Sequence, residues 1–509
     1  MSKQLQNIKV RLDESLDEKL RLLEPNYSSY RILRKSVDAR KRNELHEVYS
    51  LEVFYPGEDT SAPDYPVEKI NYDGKPILIV GSGPAGLFAA LRLVERGVPC
   101  ILFERGAPTN QRMIKINRYW RYGELDTDNN VCFGEGGAGL YSDGKLITRI
   151  KSPYIPYVMH RLVKFGAPEE IQYLANPHVG SDRIRRVIPK LRDYLIENGC
   201  TIHFNAKVEE LLTSNNKMTG LKLRDGRVFE GDHIILATGH SANDMFYHLN
   251  DLGVAMEGKS FAVGLRVEHP QKAVNEIQYR GHAEHPKLGA ANYKLTHHDY
   301  SDNIGVYSFC MCPGGYVLSS ATDVGSIVSN GMSNYHRNSP FANSAIVISV
   351  DYQKNFGSNP FHGLDWRNKL EKDAFDAVIK AGGTKQLPAQ RLTDFIKGKT
   401  GPLTEKNSSP SDGIATRVDL LLPDWIRTRL IEAFHKFDDS MKGFLHKDAQ
   451  VFGVESRTSC PIRISRDDTT LESLSHKGLY PCGEGAGYAG GITSAAVDGI
   501  KIVEAILKT

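Results

Sequence analysis

Residues 76 to 104 carry the pattern that most constrains the fold of this chain. Ile77 to Val80 are consecutive apolar residues, as expected of a parallel strand buried on both faces. Gly-Ser-Gly-Pro-Ala-Gly follows over 81–86, which is the pattern G-x-G-x-x-G. Apolar residues at helical spacing continue to Arg96, Gly97 is a usual helix stop, and Val98 to Phe103 is a second predicted strand. This order predicts a dinucleotide-binding turn.

Each part of this turn has a physical role. Gly81 permits the tight turn, Gly83 lets a pyrophosphate approach the backbone, and Gly86 lets the helix lie close to the strand. The helix N-terminus offers N–H groups and the positive end of its dipole to the phosphates. Glu104 lies 23 residues after Gly81 (104 minus 81), near the offset expected for a carboxylate on the ribose hydroxyls. Because a carboxylate repels a 2′-phosphate, the ligand half should be plain AMP, as in FAD or NAD.

Composition excludes several other classes of protein. The 509 residues are 40% hydrophobic and 25% charged, which is typical of soluble globular domains. The net charge of +3 is too small to argue for nucleic acid or an anionic membrane. Seven cysteines, an odd number and mostly well separated, indicate reduced thiols, and we see neither a secretory signal nor a long apolar run. We therefore expect a cytoplasmic protein with no membrane partner.

Residues 1–75 are predicted to form a small N-terminal α+β domain with the order β-α-β-β, followed by a linker over 56–75. Two interpretations of its basic segment stay open: a patch for RNA or nucleotide phosphate, or a solvated strand face relieved by the acidic stretch 52–68. The basic residues are Arg31, Arg34, Lys35, Arg40, Lys41 and Arg42.

Two further segments are predicted to contact a dinucleotide. The glycines of 133–146 exclude a regular helix or strand, and such a loop either presents backbone N–H groups to an anion or a flat ring, or is a flexible surface loop. The segment 232–239 is predicted to be a buried strand that ends in Ala-Thr-Gly at the cofactor crevice.

Residues 259–450 contain no second G-x-G-x-x-G and are predicted to be an insertion that covers the cofactor and shapes a substrate pocket. Cys310 and Cys312 are either a redox pair over the flavin or structural residues of a turn, and no other close Cys pair completes a zinc site. Arg457 and Arg463 either clamp an acidic substrate or the flavin edge, or form ion pairs with Glu455 and Asp467. His178 is similarly either a ligand contact or a structural hydrogen-bonding residue.

The C-terminal segment favours FAD over NAD. A strand over 478–482 is followed by Glu484, whose carboxylate suits a ribityl hydroxyl. Gly490 and Gly491 then open a helix whose positive end would face the flavin pyrimidine and stabilise the charge of reduced flavin. A domain that binds only NAD has no need of this distal element.

These motifs together resemble the glutathione-reductase-type FAD fold. More narrowly, the chain resembles the uncharacterised family of FAD-dependent dehydrogenases, or NAD(P)/FAD-dependent oxidoreductases of unknown substrate. FGEGGAGLYSDGKLITR, ATGHSANDMF, FCMCPGGYV, VESRTSCPIRI and PCGEGAGYAGGITSAAVDG are among the segments that carry the resemblance. It implies bound FAD and a redox role but no substrate. Many members of the broader fold have Asp where this chain has Glu484, so the contact with the ribityl chain must reach by one more methylene or use a shifted strand.

The fold expected is therefore α/β, with a Rossmann-like FAD-binding domain over 76–258 and 451–509, an inserted α+β domain over 259–450, and the small N-terminal domain. The expected function is hydride transfer between bound FAD and an unidentified small molecule, for which an acidic compound is one candidate, with NAD(P)H as a transient reductant or not used. Alternatives are an RNA-associated flavoprotein of tRNA modification and a flavin-binding protein without turnover. Expected catalytic residues are Cys310, Cys312, Arg457 and Arg463. Expected cofactor contacts are Gly81, Gly83, Pro84, Ala85, Gly86, Glu104, Arg105, Gly136, Gly137, Ala138, Gly139, Val208, Ala237, Thr238, Gly239, Gly483, Glu484, Gly491, Ile492 and Ser494.

Overall fold

The N-terminal residues form a small sheet with one helix. The computed structural model describes residues 2–39, 44–300 and 302–508, so Arg40, Lys41 and Arg42 of the basic segment lie outside the described residues. The elements are β1 (Lys3–Arg11), α1 (Leu16–Leu23), β2 (Ser29–Asp38) and β3 (His46–Phe54). The antiparallel sheet has the order β1-β3-β2. Its own core contains Val10, Leu20, Tyr49 and Leu51.

The expected linker over 56–75 packs against the rest of the protein along its second half. Tyr65, Val67, Ile70 and Tyr72 pack against the core of the following unit. The backbone N–H of Ile70 also donates to the carbonyl oxygen of Arg96 at 2.9 Å. The second half of the segment is thus attached to the nucleotide-binding elements.

The next elements contain the predicted dinucleotide turn. They are β4 (Ile77–Val80), α2 (Pro84–Arg96), β5 (Cys100–Phe103), α3 (Thr109–Tyr122), α4 (Tyr154–Lys164), α5 (Ser181–Glu197), β6 (Cys200–His203), β7 (Val208–Ser214), β8 (Lys217–Leu223), β9 (Val228–Glu230), β10 (Ile234–Leu236), α6 (Asn243–Asp251) and β11 (Met256–Gly258).

The remaining elements begin with a long buried strand. They are β12 (Phe261–Pro270), α7 (Gln271–Tyr279), β13 (Thr296–Asp299), β14 (Ile304–Cys312), β15 (Gly315–Ser319), β16 (Ser329–Ser333), β17 (Phe341–Val350), α8 (Tyr352–Phe356), α9 (His362–Lys380), β18 (Leu387–Arg391), α10 (Leu392–Lys397), β19 (Gly413–Ala415), α11 (Asp424–Ser440), β20 (Gln450–Glu455), β21 (Ile462–Ile464), β22 (Leu479–Pro481) and α12 (Ile492–Ile506).

A parallel sheet with the order β22-β10-β4-β5-β6 forms the centre of the nucleotide-binding part. Every residue of β4 is buried, which explains why its sequence is continuously apolar rather than alternating. Helices α2 and α12 pack closely against each other. A Cβ on residue 499 would clash with the carbonyl oxygen of Ala85, so the close approach requires Gly499. The sheet therefore brings the first and last parts of the chain together.

A second, mainly antiparallel sheet has the order β13-β14-β17-β12-β20-β18-β19 and its own apolar core. Strand β20 pairs with β12 and β18, so the expected boundary between residues 450 and 451 falls at the start of a strand of this sheet. We propose a boundary shortly after β20 instead. Residues 259–458 are called the large-sheet unit below, and residues 76–258 with 459–508 the nucleotide unit.

Candidate functional site

A cavity of about 420 Å³ lies where the parallel strands end. Gly81, Glu104, Thr238 and Glu484 line it, and they follow β4, β5, β10 and β22 respectively. The carboxyl ends of parallel strands are where ligands bind in open α/β sheets. The opposite wall belongs to the large-sheet unit, which contributes Phe309, Cys310, Asn330, Glu455, Arg457 and Thr458.

Most residues expected to contact the cofactor line this one cavity. They are Gly81, Gly83, Pro84, Ala85, Glu104, Arg105, Gly137, Ala138, Gly139, Val208, Ala237, Thr238, Gly239, Glu484, Gly491 and Ile492. Of the expected catalytic residues, Cys310 and Arg457 line it as well. The remaining expected residues, which do not line it, are Gly86, Gly136, Gly483, Ser494, Cys312 and Arg463.

The glycines of the turn have different neighbours. A Cβ on Gly86 would lie 1.9 Å from the carbonyl oxygen of Gly81, so Gly86 permits the close approach of helix and strand. A Cβ on Gly83 would meet nothing closer than the Cα of Gly137 at 3.9 Å, and Gly490 and Gly491 would meet no atom within 4 Å. These three positions leave backbone open to the cavity, as a pyrophosphate and a flat ring require.

Two helix N-termini also reach the cavity. Pro84 and Ala85 begin α2, and Ile492 begins α12. Their unpaired N–H groups and dipoles favour negative charge. The two ends therefore fit a ligand that carries a pyrophosphate near one end and a ring with negative character at the other, and FAD has both.

Glu104 is 4% exposed and already organises the turn. One carboxylate oxygen accepts from the backbone N–H and the hydroxyl of Ser82, at 2.9 and 2.7 Å. The other accepts from the N–H groups of Gly106 and Gly134, at 2.9 and 3.0 Å. A ribose hydroxyl that bound this carboxylate would have to displace the Ser82 hydroxyl, because this is the one donor of the four that can rotate away.

Arg112, which the sequence analysis did not single out, holds the glycine-rich loop over 133–146 in place. Its guanidinium is fully buried and donates to main-chain carbonyl oxygens along the loop. The acceptors are Asn130, Val131, Gly134, Glu135 and Gly137, at 2.7 to 3.2 Å. The loop is thus an ordered wall of the cavity, with Gly137 packed on Gly83.

Glu484 stands at the distal end of the cavity. Its pKa is raised to about 7, first by burial and then by Cys310, while Lys259 opposes the rise. Among the described residues its carboxyl has no hydrogen-bond partner. A carboxyl in this state fits a ligand hydroxyl, as the ribityl chain of FAD would supply.

The two expected arginines have different environments. Arg457 binds Glu371 through two hydrogen bonds of 2.9 and 2.6 Å, and donates to Ser241 and Thr322 as well. Four of its N–H donors are therefore taken, so it is poorly suited to clamp an acidic substrate. Its partner is neither Glu455 nor Asp467, the two acids expected from sequence.

Arg463 is not among the residues that line the cavity. It donates to Glu257 at 3.2 Å from strand β21, which pairs with β11, and its side chain is 39% exposed. The expected role of Arg463 at the substrate therefore stays a prediction. His178 contributes to structure: its Nε2 atom lies 3.0 Å from the carbonyl oxygen of Tyr335.

Only one of the two expected cysteines faces the cavity. Cys310 is half-buried and lines it, whereas Cys312 is completely buried behind it. Both are thiols in the structure.

Two further side chains of the cavity, His240 and Lys145, were not expected. His240 directly follows the Ala-Thr-Gly segment, and burial followed by Arg367 and Arg457 lowers its pKa to about 3. Lys145 donates to the carbonyl oxygen of Met311, across to the large-sheet unit. Each lies within or directly beside a motif already singled out, which is the signal that could have identified it.

None of the helices in the described part of the chain has the length and apolar character to span a bilayer. The same residues contain no group of three His, Cys, Asp or Glu side chains placed to hold a metal ion.

Four family models match the chain. The FAD-dependent protein, C-terminal domain-like model covers residues 260–458, and a domain of unknown function covers residues 3–54. The pyridine nucleotide-disulphide oxidoreductase model matches residues 173–270, and the FAD binding domain model matches residues 75–114. FAD is thus the cofactor of this protein, in agreement with the expectation from sequence.

An uncharacterized protein of Clostridium beijerinckii is 39% identical to this chain, with 100% of this chain and 99% of the relative covered. Among solved structures, L-amino acid deaminase from Proteus myxofaciens in complex with anthranilate is 11% identical over 88% of this chain and 92% of its own, with a TM-score of 0.35. A variant of the halogenase PltM in complex with FAD is 10% identical over 86% and 68%, with a TM-score of 0.39. Likenesses this weak carry no argument about the reaction.

The full-length identity to the Clostridium relative and the FAD-binding matches agree with the resemblance stated from sequence. The chain belongs to the uncharacterised family of FAD-dependent oxidoreductases with a Rossmann-like FAD-binding domain.

Proposed function

We propose that the protein transfers hydride between bound FAD and a small molecule held between the nucleotide unit and the large-sheet unit. The observation that carries this proposal is the continuity of one cavity. It extends from Gly83 and Glu104 of the dinucleotide turn to Cys310 and Arg457 of the large-sheet unit. A cofactor bound along the strand ends therefore leaves its reactive part against side chains of a second unit.

The roles of the chain's own residues follow from their charges. When bound, FAD supplies the redox chemistry, and the protein supplies binding, orientation and electrostatics. Lys145 lies 3.7 Å from Asp143, keeps N–H donors beyond the one given to Met311, and is a cation that an acidic group of a substrate could reach. Arg457, held by Glu371, keeps the wall rigid.

Glu484 is the candidate for handling protons. The lowered pKa keeps His240 neutral at pH 7, so its ring can accept a hydrogen bond but is a weak base. Its Nδ1 atom lies 2.9 Å from the hydroxyl of Ser241, which Arg457 also contacts. The pKa of Glu484, raised to about 7, allows both the protonated and the charged form near neutral pH.

The test is anaerobic stopped-flow spectroscopy of the purified holoprotein with NADH and, separately, NADPH. We expect a yellow protein whose oxidised-flavin band bleaches with one of the two. Bleaching by neither, while small substrates do reduce the flavin, would restrict the proposal to a dehydrogenase reduced by its own substrate. A protein that is colourless and takes up no added FAD would contradict the proposal.

The alternative of an RNA-associated flavoprotein gains no support from the described part of the basic segment. Arg31 pairs with Glu52 at 3.0 Å, and Lys35 pairs with Glu47 at 2.7 Å. These charges are balanced within the small sheet, as the solvated-face interpretation expects.

A further inference from the structure

Strand β14 is irregular where it reaches the cavity. Phe309 pairs with Ala345 of β17 and Cys312 pairs with Asn343, so two residues of β14 oppose the single Ser344. This is a β-bulge, and Cys310 within it has a φ of +44°, in the left-handed region that non-glycine residues rarely adopt. The bulge turns the Cys310 side chain into the cavity.

The bulge also brings the two cysteines together. In a regular strand, residues two apart are separated by about 6.6 Å, near the limit for a disulfide. Here the Cys312 thiol lies 3.3 Å from the carbonyl oxygen of Cys310 and in hydrogen-bonding contact with the Cys310 thiol. The β-bulge thus produces a close pair of thiols, of which Cys310 is exposed to the cavity and Cys312 lies behind it.

Two cations hold the backbone around this pair. Arg266 donates to the carbonyl oxygen of Cys310 at 3.3 Å, and Lys145 donates to that of Met311. The pKa of Cys310 is lowered, first by the hydrogen bond with Cys312, against burial, with Lys145 and Arg266 adding to the effect. The pKa of Cys312 is raised for the converse reason. The cavity-facing thiol is therefore the more acidic of the two, and the thiolate is the nucleophile in disulfide exchange.

We propose that Cys310 and Cys312 form a redox-active dithiol that passes an electron pair between FAD and a small disulfide substrate. The inference rests on the proposed function and names the substrate class of that site. Because Cys310 is half-buried within the cavity, a low-molecular-weight disulfide fits and a disulfide on a folded protein surface does not.

The exchange balances in two steps. The Cys310 thiolate attacks one sulfur of the substrate, the substrate S–S bond breaks, and the first thiol leaves after taking a proton. Cys312 then loses its proton and attacks the Cys310 sulfur, so that the second thiol leaves and the Cys310–Cys312 bond forms. An electron pair and two protons from reduced FAD return the pair to thiols, leaving oxidised FAD. The sum is one disulfide and reduced FAD giving two thiols and oxidised FAD.

The test is an anaerobic dithionite titration of the holoprotein after oxidation with glutathione disulfide and removal of the excess. The wild-type protein is expected to take up two electron pairs per FAD, one for the flavin and one for the disulfide. Cys310→Ser should take up one pair. Cys312→Ser keeps the attacking thiol but cannot release the second thiol, so it should hold glutathione on Cys310 as a mixed disulfide that mass spectrometry detects. Cys132→Ser is the matched control, because Cys132 lines the same cavity, and it should keep the uptake of two pairs.

A second measurement needs no variant. Denaturing alkylation and mass spectrometry of the oxidised wild-type holoprotein should find Cys310 and Cys312 linked to each other and the other cysteines alkylated. Uptake of one pair by the wild type, or two free thiols at these positions after oxidation, would overturn the dithiol. In that case flavin that still bleaches would leave the proposed function intact, whereas absence of FAD would remove both.

Discussion

Gly83 and Gly86 belong to the same turn but have different neighbours. Gly83 has a φ of −72°, which suits any residue, and a Cβ there would lie 3.9 Å from its nearest protein atom. A Cβ on Gly86 would lie 1.9 Å from the carbonyl oxygen of Gly81, in backbone that cannot move aside cheaply. The two substitutions to alanine should therefore separate ligand binding from folding.

For Gly83→Ala we expect a rise in the dissociation constant of FAD of at least ~10-fold, about 1.4 kcal/mol, because the methyl group occupies the approach of the pyrophosphate. The melting temperature of the apoprotein should stay near that of the wild type. Gly86→Ala should instead destabilise the apoprotein by about 1–3 kcal/mol, as overpacking does. Equilibrium titration with FAD and thermal unfolding without it measure the two effects, and an unchanged FAD affinity in Gly83→Ala would contradict the assignment.

At this scale the sequence predicts what depends on local spacing. The glycine motif, Glu104 and Glu484 all follow predicted strands, so their meeting at one edge of a parallel sheet was foreseeable. The pairing of Arg457 with Glu371 was not, because the two residues are 86 positions apart and nearer acids were available. Likewise, the sequence alone does not distinguish Cys310 from Cys312, because only the bulge decides which of them faces the cavity.

Strand β12 is the central element of the large sheet and is almost entirely buried. Val263, Leu265 and Val267 enter the apolar core, while Arg266 and Glu268 alternate with them on the other face. Arg266 is paired with Glu455 at 2.7 Å. Glu268 has Ser408 as its hydrogen-bonding partner, so the strand carries one acid whose charge is not compensated by a cation in the described structure.

This arrangement predicts that the free energy of unfolding depends on pH through Glu268 of β12. Burial raises the pKa of Glu268 to about 8, against the hydrogen bonds from Ser408, from an ordinary value of 4.5. The folded protein therefore retains a proton that the unfolded chain releases, and stability should fall as the pH rises from about 5 to about 8. Glu268→Gln cannot ionise and should be more stable than the wild type at pH 8 by about 2–4 kcal/mol, with little difference at pH 5.

Chemical denaturation of both proteins at the two pH values measures this difference. Glu197→Gln, an exposed acid near the end of α5, is the matched control and should show no such change. If Glu268→Gln loses stability by the same amount as the wild type between pH 5 and pH 8, the acid is charged in the folded protein and the argument fails.

The sequence predicts many of the helices and strands, but it does not predict which strands pair with each other. The apolar runs of β4 and β10 and the helical spacing of α2 predicted these elements within a few residues. Strand β6 pairs with β5 at the edge of the parallel sheet, and no local pattern in the sequence indicates this pairing. Strand order depends on contacts between residues far apart in sequence, which local periodicity does not contain.

At the scale of the whole molecule, the first 54 residues are the part least connected to the cavity. Their sheet has its own core, and none of the described residues before β4 lines the cavity. The small sheet meets the rest through contacts that include the N–H of Lys35 donating to the carbonyl oxygen of Tyr173 at 2.8 Å and the packing of Leu12 and Leu45 with Leu288. The following segment behaves differently, because Tyr65 and Ile70 pack into the nucleotide unit.

Two shortened chains should therefore differ. A chain that starts at residue 55 should fold and bind FAD with a dissociation constant within ~3-fold of the wild type, about 0.6 kcal/mol. A chain that starts at residue 76 also loses the hydrogen bonds of Arg161 to Tyr65 and of Arg96 to Glu68, at 2.8 and 3.1 Å, with the apolar contacts of the segment. It should be less stable by at least ~2 kcal/mol, since several apolar side chains return to water. Thermal unfolding and FAD titration of both chains test this, and loss of FAD from the chain that starts at residue 55 would show that the small sheet supports the cavity after all.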